Sequence, residues 1–543
     1  MARGRPVEPA RPRGRWSWCV AVAAAAISIV ASACGGGTGG SAGTGQTATG
    51  PPQRGGSLTY LASGALASWD LGLDPASAGF APSTYEDAIF GQLFRLGAKG
   101  DPEPQLASGA QLSDGGKTLT ISLRQGVKFT DGTPLDAAAV AWNINRDLQD
   151  PCTCSPRASW PKLAPEGVTT PDDHTVAVHF SKVNAAVIQG LIASSANHIA
   201  SPTSVQKMGD QFKLKPVGAG PFQVESNLVS SQLVLTRNPN YFKKGQPYLD
   251  RLVVKTVGGD QPAYQAILAG QAQATAITTP TLIQQASQNG AVSVTRQTST
   301  APYAVQLNTA TAPFNDQRAR EAIYYATDPS AINSHVFGGM FSVTQSFTTP
   351  GSPFYMPKVP GYRTHDVAKA KQLVSQLGGL KVDIIGGADT VANLALQSLQ
   401  SQWAEAGIQT AIHPYPDLTR IIQDFTGKKW QAALQFVGSI DPALATGLPF
   451  RMLSTAVYSG INDPALDQLM DQAATSTDKG TRTQLYQHIA KYISDRAYLP
   501  FLFGGVTSGL AARGANVPGL TTKVVLGGGF LAPSWDEAWV GKG

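Results

Sequence analysis

A mixed α/β architecture of more than one domain is the fold class that this sequence predicts, and three observations predict it. The chain has 543 residues, enough for two or three core-bearing domains. From residue 57 onward, segments with the two-residue period of strands alternate with segments of helical period. A hydrophobic share of 42% and a charged share of 14% suit a globular chain rather than a disordered one. No internal repeat is visible, and after residue 33 no apolar run is long enough to span a membrane.

The elements follow in order. Arg3, Arg5, Arg11, Arg13 and Arg15 precede an apolar run at 16–30, which meets Ala31-Ser32-Ala33-Cys34. A basic end, a short apolar stretch and small residues read as a signal peptide over 1–33. Cys34, directly after the small residues, resembles the acceptor of a bacterial lipobox, although Ala31 stands where Leu is usual. The segment 34–56 then reads as a lipidated flexible tether, because its Gly, Ser and Thr residues bury too little to fold. The formal charge of +6 is concentrated at the amino end: with those five arginines and Glu8 set aside, 37 basic face 35 acidic residues. Nothing here has the footprint of a nucleic-acid binder.

Further along, 118–123 alternates as a strand, 127–129 is a second apolar run, Asp131-Gly132-Thr133-Pro134 forms a tight turn, and Asp136 can cap the helix that follows. Residues 232–236 and 252–255 read as strands. Residues 262–268, 366–377, 393–406 and 482–494 read as amphipathic helices, with Trp403 on the core face of the third. Cys152 and Cys154 form a loop staple or remain free thiols, with no further ligand close by for a metal.

An enzyme reading finds little support. Gly116-Lys117-Thr118 resembles the end of a phosphate loop, but Gln111 replaces the upstream glycine and a strand begins where a helix is required. Gly39-Gly40-Ser41-Ala42-Gly43 fits a nucleophile elbow without its flanking strand and helix. The seven histidines form no metal or catalytic motif. No catalytic residue, cofactor or metal is expected.

The segment GVKFTDGTPLDAAAV at 126–140 resembles the extracytoplasmic solute-binding proteins of family 5, which bind oligopeptides, dipeptides or nickel for ABC importers. The similarity continues through LDPA (73–76), PVGAGPF (216–222), RNPNYF (237–242), PYLD (247–250), PFNDQRAR (313–320) and AEAGI (404–408). The resemblance implies a two-lobed periplasmic-binding-protein-like fold with mixed sheets, an extra domain and a hinge. Lobe I would comprise 57–92, 207–308 and 506–543, the insert domain 93–206, and lobe II 309–505, with crossings near Asn308 and Gly505.

It also implies the function: a lipoprotein that captures a solute, expected to be a short peptide, in an interlobe cleft and hands it to an ABC permease driven by separate ATPase subunits. The protein would be a monomer, held at the outer face of the cell membrane through lipid alone. A nickel chelate, haem, an oligosaccharide or an opine-like compound remains an alternative, as does a sensing role. Ligand contacts implied by the resemblance are Trp69, in the loop after the first strand; Thr278 and Thr279, at a corner where they could equally cap a helix; and Leu418 and Phe425, on a helix at 417–425. Ser439 and Asp441 lie in the segment where peptide binders carry Trp and an aspartate that meets the ligand's amino terminus. Val437 takes the place of that Trp, and Asp441 before Pro442 is equally suited to starting a turn.

Overall fold

The computed structural model describes residues 50–541 apart from 63–84, 98–99, 150–159, 388–389, 416–422, 438, 440, 445–448, 450–451, 457 and 523–532. Cys34, Cys152, Cys154, Trp69 and Leu418 therefore lie outside the described residues. Among the described residues, no helix is long and apolar enough to cross a membrane.

Eleven strands form one mixed sheet. Across it run Ile408–Tyr415, Leu380–Gly387, Ala432–Phe436, Val292–Leu307, Phe501–Ala512, Ala274–Ile277, Ser57–Ala62, Arg251–Thr256, Gln232–Arg237 and Phe222–Leu228, with Ser342–Val343 paired to Phe501–Ala512. The two long strands in the middle, Val292–Leu307 and Phe501–Ala512, are antiparallel and connect two separately packed halves. On one side lies a core that includes Leu58, Tyr60, Phe90, Phe222, Leu252 and Trp535. On the other lies a core that includes Phe314, Ile323, Val382, Leu396, Leu399 and Trp403. The long strands lose register between Thr298 and Pro302, so the connection between the halves is also the irregular part of the ladder.

A second sheet, of four antiparallel strands, stands apart: Ala107–Ser113, Thr118–Leu123, Thr175–Phe180 and Leu163–Asp172. The alternation expected at 118–123 is realised there, with Leu119, Ile121 and Leu123 buried and Ser122 exposed. Against the sheet packs the helix Ala137–Asp147, whose Val140 and Ile144 enter the same core. Asp136 caps it by accepting a 2.9 Å hydrogen bond from Ala139 N–H, an interaction typically worth about 1 kcal/mol. In the preceding turn, Gly132 has φ +89°, a conformation that costs a side-chain-bearing residue steric strain.

The glycines of PVGAGPF join this small sheet's domain to the first half. A Cβ on Gly218 would lie 2.4 Å from Phe90 Cα and from Ile89 O, while Ala219 N–H and Gly220 N–H donate to Phe90 O and Ile89 O. Only a bare backbone fits that approach. The other recurrent segments also have structural duties: buried Asn238 donates to Gly220 O at 2.9 Å, and Arg320 donates to the carbonyls of Phe314 and Arg496. Trp403 is fully buried and donates from Nε1 to Thr327 Oγ1 at 2.9 Å. At the carboxyl end, Trp535 packs edge-on against Tyr60, with ring centroids 5.4 Å apart.

Candidate functional site

Where the long strands lose register, Ala432–Phe436 pairs with the 303–307 part of Val292–Leu307. Its last residue, Phe436, is 44% exposed, although an aromatic ring of that size is ordinarily drawn into a core. Phe436 lies over Tyr303, with ring centroids 3.9 Å apart and planes inclined by 34°, and Tyr303 in turn approaches Phe503 at 5.8 Å. A Cβ on Gly505 would sit 3.6 Å from Phe436 Cε1 and 3.7 Å from Tyr303 Cε2. An open aromatic face at the junction of the two halves is suited to stacking against a ligand. The sequence reading did not single out Phe436. Its signal was an aromatic closing a strand at the very segment under scrutiny.

The neighbouring Val437 is fully buried, and its N–H donates to Pro302 O at 2.8 Å. Ser439 is also buried. Asp441 lies in the second half with its side chain 3% exposed. Its Oδ1 accepts from Arg482 Nη2 at 2.7 Å and from Ala443 N–H at 2.9 Å. The second contact is the turn-initiating bond that an aspartate before proline makes. The first gives the carboxylate a cation from within the chain.

Arg482 is tied down in every direction. Its Nε donates to Ala473 O at 3.1 Å, its Nη2 to Tyr486 Oη at 3.2 Å, and its guanidinium lies 4.9 Å from the Phe354 ring centroid. Burial is the largest influence and favours the neutral form, but the charge of Asp441, Tyr486 and the hydrogen bonds to both together outweigh it and hold the guanidinium pKa above its ordinary value. The hydroxyl of Tyr486 is pushed upward, chiefly by burial and then by Asp441.

The remaining expected contacts are dispersed. Thr278 and Thr279 do not cap the helix Pro280–Ser287 through their side chains. Both hydroxyls and both N–H groups instead donate to Asp260 Oδ2, at 2.7 to 3.3 Å. Phe425 is a correction: its ring is fully buried in a cluster with Ile385, Tyr415 and Trp430, 4.7 Å from the Trp430 ring, and offers no face to a ligand. Apolar packing outcompetes the cleft for that side chain. Among the described residues, no group of three His, Cys, Asp or Glu is arranged to hold a metal.

Comparison with known proteins gives this arrangement a context. Residues 101–451 match the family described as bacterial extracellular solute-binding proteins, family 5 Middle. The chain is 26% identical over 435 residues to the glutathione-binding protein GsiB of Salmonella paratyphi A, an alignment that covers 76% of this chain and 82% of that protein. In three dimensions it is similar to the periplasmic binding protein AgaA of A. tumefaciens R10 solved with agropinic acid, with TM-score 0.74, 23% identity, and coverage of 90% of this chain and 99% of AgaA. It is also similar to a dipeptide-binding protein of Pseudoalteromonas sp. SM9913 solved with Met-Leu, with TM-score 0.73, 19% identity, and coverage of 89% and 100%. These likenesses carry the fold: two lobes built on mixed sheets.

Proposed function

Because the chain belongs to the bacterial extracellular solute-binding proteins of family 5, we propose that its ligand is a short peptide or peptide-like solute stacked on Phe436 where the two lobes meet. Capture of an extracytoplasmic solute for an ABC importer is the work of the family and of this chain, which is a binding protein and not an enzyme. The ligand class is supported by the glutathione-binding name of its relative, glutathione being itself a small peptide. The observation that carries the site is the exposed ring of Phe436 at the register break of the connecting strands.

On this reading lobe I is 57–92, 207–308 and 506–543, the insert domain is 93–206, and lobe II is 309–505, a division supported by the separate cores on either side of the long strands. The protein works as a monomer, anchored by a lipid on Cys34 after removal of 1–33, and delivers to a permease driven by separate ATPase subunits. Thr278, Thr279 and Ser439 remain candidate contacts, as do Trp69 and Leu418, which lie outside the described residues.

A second reading, a non-peptide solute, is favoured by one observation: Asp441 is already neutralised by Arg482, so it offers no free charge to a peptide's amino terminus. Thermal-shift and calorimetric titration with glutathione, Met-Leu and agropinic acid separates the readings. A ligand at a hundredfold excess over its Kd stabilises the native state by about 2.7 kcal/mol. Phe436→Ala should weaken the active ligand about five- to tenfold, since a stacked aromatic contact is worth about 1 kcal/mol or somewhat more. Stabilisation by agropinic acid alone rejects the peptide reading, and undiminished affinity in Phe436→Ala rejects the site.

A further inference from the structure

Away from the connecting strands, described residues of the small-sheet domain meet the second half around residues 182–186, with Leu96 and Gly116 nearby. Ala185 N–H donates to Ala474 O at 2.8 Å. Ala186 is fully buried and packs with Ala443 and Leu444, with Leu96 and Ala474 at the margin. Lys182 Nζ lies 3.4 Å from Asp471 Oδ1. Close by, a Cβ on Gly116 would come within 3.2 Å of Thr477 Cγ2 in the second half.

The receiving side is assembled from two separate pieces of chain: the turn at 441–444 and the end of the helix Pro464–Thr475. Arg482 joins them. Its Nη2 holds the turn through Asp441 Oδ1, whose second bond to Ala443 N–H sets the path of the chain toward Leu444. Its Nε holds the helix end through Ala473 O, one residue before the carbonyl that accepts from Ala185. A single buried guanidinium thus fixes the relative position of the apolar seat for Ala186 and of the acceptor for Ala185.

We propose that the Asp441 and Arg482 pair is the socket of a latch, receiving residues 182–186 when the lobes close, and that Asp441 controls closure as a positioning residue without touching ligand. The proposal rests on the binding-protein reading, but the latch itself is observable without ligand. The connecting strands let the halves move, and the latch, a small patch with one backbone hydrogen bond, adds a modest bias toward the closed arrangement. Its strength sets how much of the free protein is already closed, and apparent affinity scales with that fraction.

Hydrogen–deuterium exchange on the full-length protein tests this. In ligand-free wild type the amides of 184–187 should be protected. In Arg482→Met and Asp441→Asn they should exchange about tenfold faster or more at short labelling times, before amides in Thr118–Leu123 and Arg251–Thr256 exchange in any of the proteins, the pattern of local opening. Ala186→Asp attacks the latch from the opposite side without touching the ion pair, and an acidic residue is well suited to the start of the helix Val187–Ile192 that follows it. It should give the same accelerated exchange at 184–187 with an unchanged thermal midpoint. Wild-type protection in Ala186→Asp would overturn the latch. So would Asp441→Asn retaining wild-type exchange while losing the discrimination between Met-Leu and N-acetyl-Met-Leu, the pattern of a direct ligand contact. If none of glutathione, Met-Leu or agropinic acid binds the wild type, the ligand reading fails while the exchange result still decides the latch.

Discussion

Two buried carboxylates, one in each half of the molecule, are treated in opposite ways. Asp441 is held by Arg482, with both side chains below one tenth exposed, and its charge is compensated inside the fold. Glu86, which precedes the short helix Asp87–Phe90, is 6% exposed and, among the described residues, is paired with no arginine or lysine. Its neighbours are Asp87 and His198, and His198 Nε2 is engaged with Asp87 Oδ1 at 2.6 Å. Burial, only partly offset by His198 and reinforced by Asp87, pushes the Glu86 pKa up to about 7. His198 moves upward as well: burial, the largest influence, opposes its charge, but the bond to Asp87 together with the charges of Asp87, Glu86 and Asp147 outweighs it. The difference teaches that burial alone does not decide what an acid does. The partner decides how the burial is compensated, and the acid without a guanidinium is the one that titrates near neutrality.

The largest effect should come from breaking the compensated pair. Arg482→Met leaves Asp441 buried without its cation, and the loss of one partner from such a pair typically costs about 3 to 5 kcal/mol. Urea unfolding at pH 7.5 should show that loss as a lower midpoint with little change in slope. A double variant with Asp441→Leu should recover a large part of it, because two apolar side chains replace two desolvated charges. No recovery would mean that the guanidinium's bonds to Ala473 and Tyr486 matter more than the charge pair.

Next in size is the uncompensated acid, where the sign reverses. Below about pH 4.5 Glu86 is protonated in both the folded and unfolded chain and imposes no penalty. Between about pH 4.5 and 7 only the unfolded chain ionises, so stability falls as pH rises. Above about pH 7 the penalty levels off at roughly 3 kcal/mol. Glu86→Gln should therefore gain stability at pH 8 relative to its own effect at pH 4, by up to about that amount. Unfolding curves for both proteins across this range check it. A pH-independent difference would show that Glu86 is ionised in the folded protein.

Much of the fold was legible because local chemistry determines it. The alternation of 118–123, the Asp136 cap and the Asp131-Gly132 turn each need only neighbours within a few residues, and each is present as read. The glycines of PVGAGPF were noticed as a motif, and the approach of Phe90 supplies their cause. The site was less legible. A helical period identifies the inward face of 482–494 but not what waits opposite it, so the arginine 41 residues beyond Asp441 could not be paired with it. Phe425 was expected at the cleft from the resemblance alone, which places the helix 417–425 but not its individual side chains, and Trp430 and Tyr415 enclose it. Phe436 went unnoticed because exposure is a tertiary property, and a strand's terminal aromatic is more often buried than not.

The smallest effect sharpens the comparison from the other end. Lys182 and Asp471 form an ion pair across the same contact that Arg482 underlies, yet their side chains are 66% and 61% exposed. Water screens both charges, and holding two long side chains in register costs entropy, so pairs of this kind are worth about 0.2 to 1 kcal/mol at best. Lys182→Glu should change the unfolding free energy by less than about 0.5 kcal/mol. Even that change should shrink in 1 M salt, where the Debye length falls to about 3 Å. The same charge reversal should still speed exchange at 184–187 slightly, because two acids then face each other beside the Ala185 bond to Ala474. If Lys182→Glu instead costs as much as Arg482→Met, the contact between the small-sheet domain and the second half would owe its strength to the exposed charge pair, and the buried guanidinium would be a support of the second half alone.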